Sequence, residues 1–150
     1  MKRLFFVAVA LAVTLVSCGT DKGVATTIRG RFVGSGVDTV YLERVSDNLT
    51  TPEAIGRVAL ADNGGFEFEF GIEEGTSPRF YRLAFEGGRR PVTLVVAPGD
   101  NIELESAGDI FLTYEVEGSE ESALIKEFNR EYFTAVDRVA RIAEGIDSGE

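Results

Sequence analysis

The residue with the most specific chemistry in this sequence is Cys18, which ends the run Leu15-Val16-Ser17-Cys18. A branched apolar residue, a tolerant position, a small residue and a cysteine, in this order, match the lipobox of bacterial lipoproteins. The small Ser17 gives a peptidase access to the next peptide bond. A thiol is the only group in the motif that can form a thioether to diacylglycerol. The motif therefore predicts cleavage after residue 17 and lipidation of Cys18.

The other groupings of reactive residues do not meet the spacing that their chemistry needs. Glu67 and Glu69 resemble a glycosidase pair, but alternating carboxylates are the ordinary pattern of an amphipathic strand. Asp62-Asn63-Gly64 lacks the later carboxylates of a calcium loop. Gly34-Ser35-Gly36 lacks the Gly-Lys-Ser/Thr that completes a phosphate-binding loop. The sequence also contains no histidine. We therefore expect no catalytic residues, no metal site and no cofactor.

A group of arginines stands out because the rest of the chain is acidic. The formal net charge is −10, and it becomes 13 − 25 = −12 when Lys2 and Arg3 leave with residues 1–17. Such a charge is repelled by phosphates, so we expect no nucleic-acid partner. A local basic group can dock an acidic partner, or it can form a solvated hairpin rim that discourages edge pairing. Its members are Arg79, Arg82, Arg89 and Arg90.

The residues before Cys18 have the order of a secretory signal peptide. Met1-Lys2-Arg3 is a cationic head, and residues 4–16 are apolar apart from Thr14. This apolar run is shorter than the roughly 20 residues that a membrane-spanning helix needs, but it suits an h-region. We expect residues 1–17 to be the signal peptide and residues 18–25 to be the lipidated cysteine and a tether. The lipid would hold the protein in the cell envelope, at the outer membrane facing the periplasm.

The period-two pattern of β-strands dominates the chain after the tether. In the clearest case, Phe66-Glu67-Phe68-Glu69-Phe70, three aromatic residues are predicted to face inward and two carboxylates outward. Asp62-Asn63-Gly64-Gly65 predicts a hairpin turn before that strand. The whole pattern predicts an all-β domain over residues 26–117, an antiparallel β-sandwich or open barrel of about eight strands. The predicted strands cover residues 27–33, 39–45, 55–60, 66–70, 80–85, 92–96, 101–105 and 111–117.

Residues 118–150 are predicted to form a long C-terminal α-helix and the start of a linker. Ser119 is the expected N-cap, and Gly145 is the expected C-cap after Glu144. The helix has two apolar sides, and we expect the β-domain to cover one while the other meets a partner helix. A seam with 3-4 spacing consists of Ile125, Phe128, Tyr132, Ala135, Val139 and Ile142. The second flank consists of Phe133, Val136, Ala140 and Ala143, and its first three members are the candidate partner contacts.

Several short segments, together with the lipobox, carry a family resemblance. They are Ile28-Arg29-Gly30, Val40-Tyr41-Leu42, Ala97-Pro98-Gly99-Asp100-Asn101-Ile102 and Val116-Glu117-Gly118-Ser119. Over roughly residues 24–145 the chain resembles a domain of unknown function (DUF4369-like) in the N-terminal part of many Bacteroidota lipoproteins. In that family the domain usually precedes a thioredoxin-fold, peroxiredoxin-like module with a Cys-x-x-Cys motif. This sequence contains no such motif, so any redox activity that the resemblance implies would lie in a further C-terminal module.

Two functions from different classes remain open. The first is a membrane-tethered, non-catalytic accessory domain of an envelope thiol–disulfide oxidoreductase lipoprotein. The second is a stand-alone envelope lipoprotein that binds a glycan or a peptide on the sandwich. The expected partners are the membrane, through the lipid on Cys18, and either a thioredoxin-fold domain or a second copy of the C-terminal helix. The chain is not expected to be an enzyme.

Overall fold

The computed structural model describes residues 23–46 and 51–147, with side chains described as far as residue 145. Within these residues, strands form two four-stranded sheets around one hydrophobic core, and a long helix follows them. This confirms the predicted all-β sandwich with a C-terminal helix. The expected signal peptide, Cys18 and most of the expected tether lie outside the described residues.

Along the described residues the chain crosses between the two sheets four times. The first sheet contains, in spatial order, β4 (Gly65–Ile72), β1 (Val24–Val33), β7 (Asn101–Ala107) and β8 (Glu115–Glu117). The second sheet contains β3 (Glu53–Ala59), β2 (Thr39–Arg44), β5 (Arg79–Phe85) and β6 (Val92–Val96). The helices are the single turn α1 (Ile110–Thr113) and the long α2 (Glu120–Asp147).

The core lies between the sheets and is built from the inward side of each alternating strand. Ile28 and Leu104 from the first sheet, and Leu42 and Leu83 from the second, are fully buried. In β4 the predicted alternation is confirmed: Phe66 and Phe68 are buried and Phe70 is half-buried, while both glutamates are exposed. The three phenylalanines therefore contribute to the core and the glutamates lie on the outer face of the sheet.

One strand pair departs from the predicted antiparallel arrangement. β1 and β7 are parallel neighbours, with Ile28 opposite Ile102 and Gly30 opposite Leu104. The chain reaches β7 from β1 by way of the second sheet, so strands supply the crossover that a helix supplies in an α/β fold. Gly30 permits the close pairing, because a Cβ atom there would lie 2.2 Å from the Leu104 carbonyl oxygen.

The turn at residues 62–65 forms as predicted, but it does not join the strands of one hairpin ladder. The Gly65 N–H donates to Asn63 Oδ1 at 3.0 Å, and Gly64 has a positive φ of 81°. The turn leads from β3 in the second sheet to β4 in the first. It is therefore a crossing between layers. By contrast, β5 and β6 pair in antiparallel fashion around the predicted hairpin.

The predicted last strand over residues 111–117 is wrong in its first half. Residues 110–113 form α1 instead, because the Asp109 carboxylate accepts a hydrogen bond from the Leu112 N–H at 3.1 Å and caps the turn. Thr113 also donates to the Asp109 carbonyl at 2.8 Å. Only residues 115–117 then pair with β7, as β8. α1 places Phe111 beside α2, where it helps to position the long helix.

α2 begins as predicted and continues beyond its predicted end. The Ser119 hydroxyl accepts a hydrogen bond from the Ser122 N–H at 3.2 Å, which is the expected N-cap geometry. Gly145, the predicted C-cap, lies inside a helix that extends to Asp147. Gly145 does not adopt the positive φ of a C-cap glycine, and a helical glycine costs only about 1 kcal/mol relative to alanine.

Candidate functional site

The first turn of α2 is fastened to β6, which is an edge strand of the second sheet. The Ser122 hydroxyl accepts a hydrogen bond from the Val95 N–H at 2.9 Å and donates to the Val95 carbonyl at 3.1 Å. The Ser119 hydroxyl donates to the same carbonyl at 2.9 Å. Two serines thus take the place of a neighbouring strand, and the helix covers an edge that could otherwise pair with another chain.

A second group of contacts fastens the middle of α2 to α1 and to the β5–β6 hairpin. The Arg90 guanidinium lies 4.1 Å from the centre of the Phe133 ring and 5.4 Å from that of Phe111. The two rings meet edge to face at 5.1 Å. Lys126 forms an ion pair with Glu115 on β8. The side of α2 that carries Ser122, Lys126 and Phe133 therefore faces the sandwich.

Tyr114 lies beneath this second group of contacts. Its side chain is buried, and burial raises the pKa of its hydroxyl to about 12, because the phenolate form would lose its hydration. Tyr114 therefore stays neutral over the physiological range. The junction between α1, β8 and α2 is therefore packed around a neutral tyrosine.

The opposite side of α2 presents a continuous apolar stripe to solvent, which we call the α2 stripe. Leu124 is 65% exposed and Phe128 is 66% exposed near the sandwich, and Val139 is 66% exposed and Ile142 57% exposed farther along. The Phe128 and Tyr132 rings stack on each other at 6.1 Å. The members of the α2 stripe are Leu124, Phe128, Tyr132, Val136, Val139 and Ile142.

Contrary to the prediction from the sequence, the β-domain does not cover one whole apolar side of the helix. Phe133, a candidate partner contact, is half-buried against Phe111 and Arg90 of its own chain. Val136 and Ala140, the other two candidates, are exposed. Most residues of the seam with 3-4 spacing, the other predicted apolar side of the helix, are exposed as well. The sandwich covers only a narrow strip near the start of the helix, so the exposed apolar surface is wider than the sequence predicted.

The four predicted docking arginines have different surroundings. Arg82 pairs with Glu43 of β2, and Arg89 donates to the Gly36 carbonyl at 3.3 Å. Arg90 lies over the two aromatic rings, and Arg79 is exposed at the start of β5. Three of the four therefore contact partners within the chain. Arg90 helps to hold α2 in place through its contact with Phe133. This role could not be read from the sequence, because the sequence predicts a strand at Phe111.

A groove of about 420 Å³ opens beside Arg90. Its walls include Phe111 and Leu112 of α1, Arg89 of the hairpin, and Asp137 of α2. Opposite charges and apolar side chains share these walls, which gives the groove no single chemical preference. The residues that the structure describes contain no group of three or more histidine, cysteine, aspartate or glutamate side chains placed to hold a metal ion. Within the same residues, no helix is long and apolar enough to cross a bilayer.

The similarity of this chain to known proteins is weak. No model of a known protein family matches the sequence, and no curated protein matches it. One similar solved structure is an (S)-allantoin synthase, with a TM-score of 0.44 and 11% identity over 65% of this chain and 45% of the other. Another is the dioxygenase domain of a carbohydrate-binding fusion from Streptomyces sp. SirexAA-E, with a TM-score of 0.33 and 18% identity. That match covers 66% of this chain and 79% of the other.

Proposed function

We propose that this chain is a membrane-tethered, non-catalytic accessory domain of an envelope thiol–disulfide oxidoreductase lipoprotein, and that α2 is its docking element. The observation that carries the proposal is the α2 stripe. Soluble proteins rarely expose a large contiguous apolar patch unless it binds something. Burying apolar surface contributes about 25 cal/mol per Å², so a partner that covers the stripe gains a large driving force.

The geometry of α2 suits a docking element. A helix of 28 residues is about 42 Å long at 1.5 Å per residue. The sandwich holds it through Ser122 and Phe133 in its first half, while Val139 and Ile142 lie beyond those anchors. A rigid element that extends from a stable domain can present a binding surface without losing much conformational entropy when the partner binds.

The lipobox supports the tethered and non-catalytic parts of the proposal. A thioether to diacylglycerol would occupy the sulfur of Cys18, the only cysteine in the sequence. Thiol–disulfide exchange needs a thiolate as its nucleophile. This domain would therefore position a redox module without taking part in its chemistry, and the resemblance to lipoproteins with thioredoxin-fold modules supplies that context.

Two experiments in cells test the proposal. Labelling with radioactive palmitate should mark the wild-type chain and the control variant Thr20→Ala, whereas Cys18→Ala should lose both the label and membrane association. A photoreactive residue placed at Val139 should crosslink to a partner protein, either a thioredoxin-fold module or a second copy of this chain. The same residue placed at Glu69, on the outer face of the first sheet, should not.

The converse results would contradict the proposal. An unlabelled wild-type chain would remove the lipid anchor. Crosslinks to a glycan or peptide from Glu69, with none to a protein from Val139, would favour the alternative of a ligand-binding envelope lipoprotein.

A further inference from the structure

We infer that the α2 stripe binds the α2 helix of a second copy of this chain, in the antiparallel orientation. The inference deepens the proposed function and rests on it, because it names the occupant of the docking element. Two accessory domains joined in this way would hold two redox modules as a pair on one membrane. The spacing of the apolar residues, the charges beside them and the open space along the helix favour this occupant.

The apolar seam of α2 is exposed apart from the half-buried Ile125, and it has the seven-residue repeat of a coiled coil. The seam residues Ile125, Tyr132 and Val139 are spaced by seven, and Phe128, Ala135 and Ile142 fall between them at the alternating 3-4 spacing. Such a repeat keeps one seam turned toward a partner helix along its whole length. An irregular apolar surface, by contrast, would not select a helix as its occupant.

The charges beside the seam favour a second copy over an unrelated helix, and the antiparallel orientation over the parallel one. Glu131 and Arg138 precede Tyr132 and Val139, so they lie on the same edge of the seam, one repeat apart. In an antiparallel pair, this edge of one helix faces the same edge of the other. Glu131 of each copy then lies near Arg138 of the other, which gives two reciprocal ion pairs.

A parallel pair lacks these ion pairs. In that orientation the edge that carries Glu131 and Arg138 faces the opposite edge of the partner, which carries Val136 and Ala143. The charged groups would then face apolar side chains.

One antiparallel register satisfies both the charges and the packing. With Glu131 beside Arg138 of the second copy, Tyr132 lies opposite Ala135, Phe128 opposite Val139, and Ile125 opposite Ile142. The largest side chain near the centre thus faces the smallest, which lets the helices approach at an ordinary distance of 8–10 Å.

The sandwich does not obstruct such a partner. Leu124 and Phe128, in the half of the helix nearest to the sandwich, are as exposed as Val139 in the distal half. Ser122, Lys126 and Phe133, which contact the rest of the domain, lie on another side of the helix. Ile125, at the start of the seam, is half-buried and keeps part of its surface for a partner. The C-terminal half of a second α2 can therefore lie along the proximal half of the first.

The charge of the helix argues against a membrane surface as the occupant. Residues 120–147 contain seven acidic and four basic side chains. A helix that lies on anionic lipid is typically rich in lysine and arginine on its polar side. The net negative charge of the helix repels such lipid. The reciprocal ion pairs with a second copy, by contrast, match the charges beside the seam.

Cysteine crosslinking in cells tests the inference. Ala135→Cys puts a thiol close to the centre of the proposed pair, and a short bismaleimide should then give a crosslinked dimer of the full lipidated chain. Adding Glu131→Arg or Arg138→Glu to this variant should lower the crosslinked yield about tenfold at limiting expression, because two attractions become repulsions. The double reversal should restore the yield. Arg141→Glu, on the same helix away from the seam, is the matched control and should change nothing.

The outcomes separate this inference from the proposed function. An absence of Ala135→Cys dimers would overturn the second copy as occupant, and so would single reversals without effect or a double reversal without rescue. Crosslinking of Val139 to a thioredoxin-fold module would leave the proposed function intact in that case. Conversely, dimers of the wild-type chain through its only thiol would show that Cys18 is free, which would contradict the lipid anchor and not the helix pair.

Discussion

The attachment of α2 to the edge of β6 leads to a quantitative prediction for Ser122→Ala. The Ser122 hydroxyl is fully buried and is the hydrogen-bond acceptor for the Val95 N–H. Without it that N–H has lost its acceptor, which costs about 1–3 kcal/mol. The Val95 carbonyl keeps its bond from Ser119, so it adds little to the loss. Alanine is a better helix former than serine and returns up to about 0.5 kcal/mol.

The net expectation is that Ser122→Ala lowers the free energy of unfolding by about 0.5–2.5 kcal/mol. Urea denaturation of the wild-type and variant proteins would measure this difference from the shift in midpoint. Hydrogen exchange would localise it, because the Val95 amide should lose protection while amides of the first sheet keep theirs.

Thr134→Ala is the matched control for this prediction. Its hydroxyl is exposed and donates to the Arg130 carbonyl within the helix at 2.7 Å. Removing an exposed hydroxyl should change the stability by less than about 0.5 kcal/mol. If Ser122→Ala and Thr134→Ala unfold at the same urea concentration, the serine does not hold the helix on the strand edge and the reasoning is refuted.

Three further predictions follow from the core, a turn and the composition. Phe68→Ala removes a buried aromatic side chain and should lower the free energy of unfolding by about 3–5 kcal/mol in urea denaturation. Glu67→Ala, on the exposed face, should lower it by less than about 0.5 kcal/mol. Equal effects would mean that the inner and outer faces of the strand are assigned wrongly. Gly118→Ala should destabilise by about 2 kcal/mol or more, because its φ is 86° and the added Cβ would lie 2.1 Å from a backbone oxygen. Gly75→Ala, also at positive φ but in open space, should cost about 1 kcal/mol in the same assay. Residues 19–150 should neither reduce insulin disulfides nor consume peroxide, since they contain no cysteine, and turnover above a buffer control would contradict this.

Local patterns allowed much of the fold to be predicted from the sequence. The alternation of Phe66 to Phe70 marks the inner and outer faces of β4, because successive side chains of a strand point in opposite directions. Ser119 marks the start of α2 because its hydroxyl accepts from an N–H only three residues away. These signals depend on neighbours in the chain, so they can be read without knowing the tertiary structure.

The pairing of the strands could not be read in the same way. Alternation shows that a strand is half-buried, but it does not show which strand lies beside it. The parallel pair of β1 and β7 joins residues about seventy positions apart, such as Ile28 and Ile102. The sequence of the turn at residues 62–65 likewise does not show whether the turn joins two strands of one sheet or crosses between layers. Its glycine and asparagine residues determine only the local backbone conformation.

The exposed surface of α2 is determined partly by the sequence and partly by tertiary contacts. The sequence by itself determined that the helix would be apolar on more than one side, since Phe128, Phe133 and Val139 are at helical spacing. It could not determine which side the sandwich would cover. That choice depends on Arg90 and Phe111, which meet Phe133 only because α1 replaces a strand. Tertiary contacts thus half-bury Ile125 and Phe133 of α2 and leave the stripe from Leu124 to Ile142 exposed to solvent.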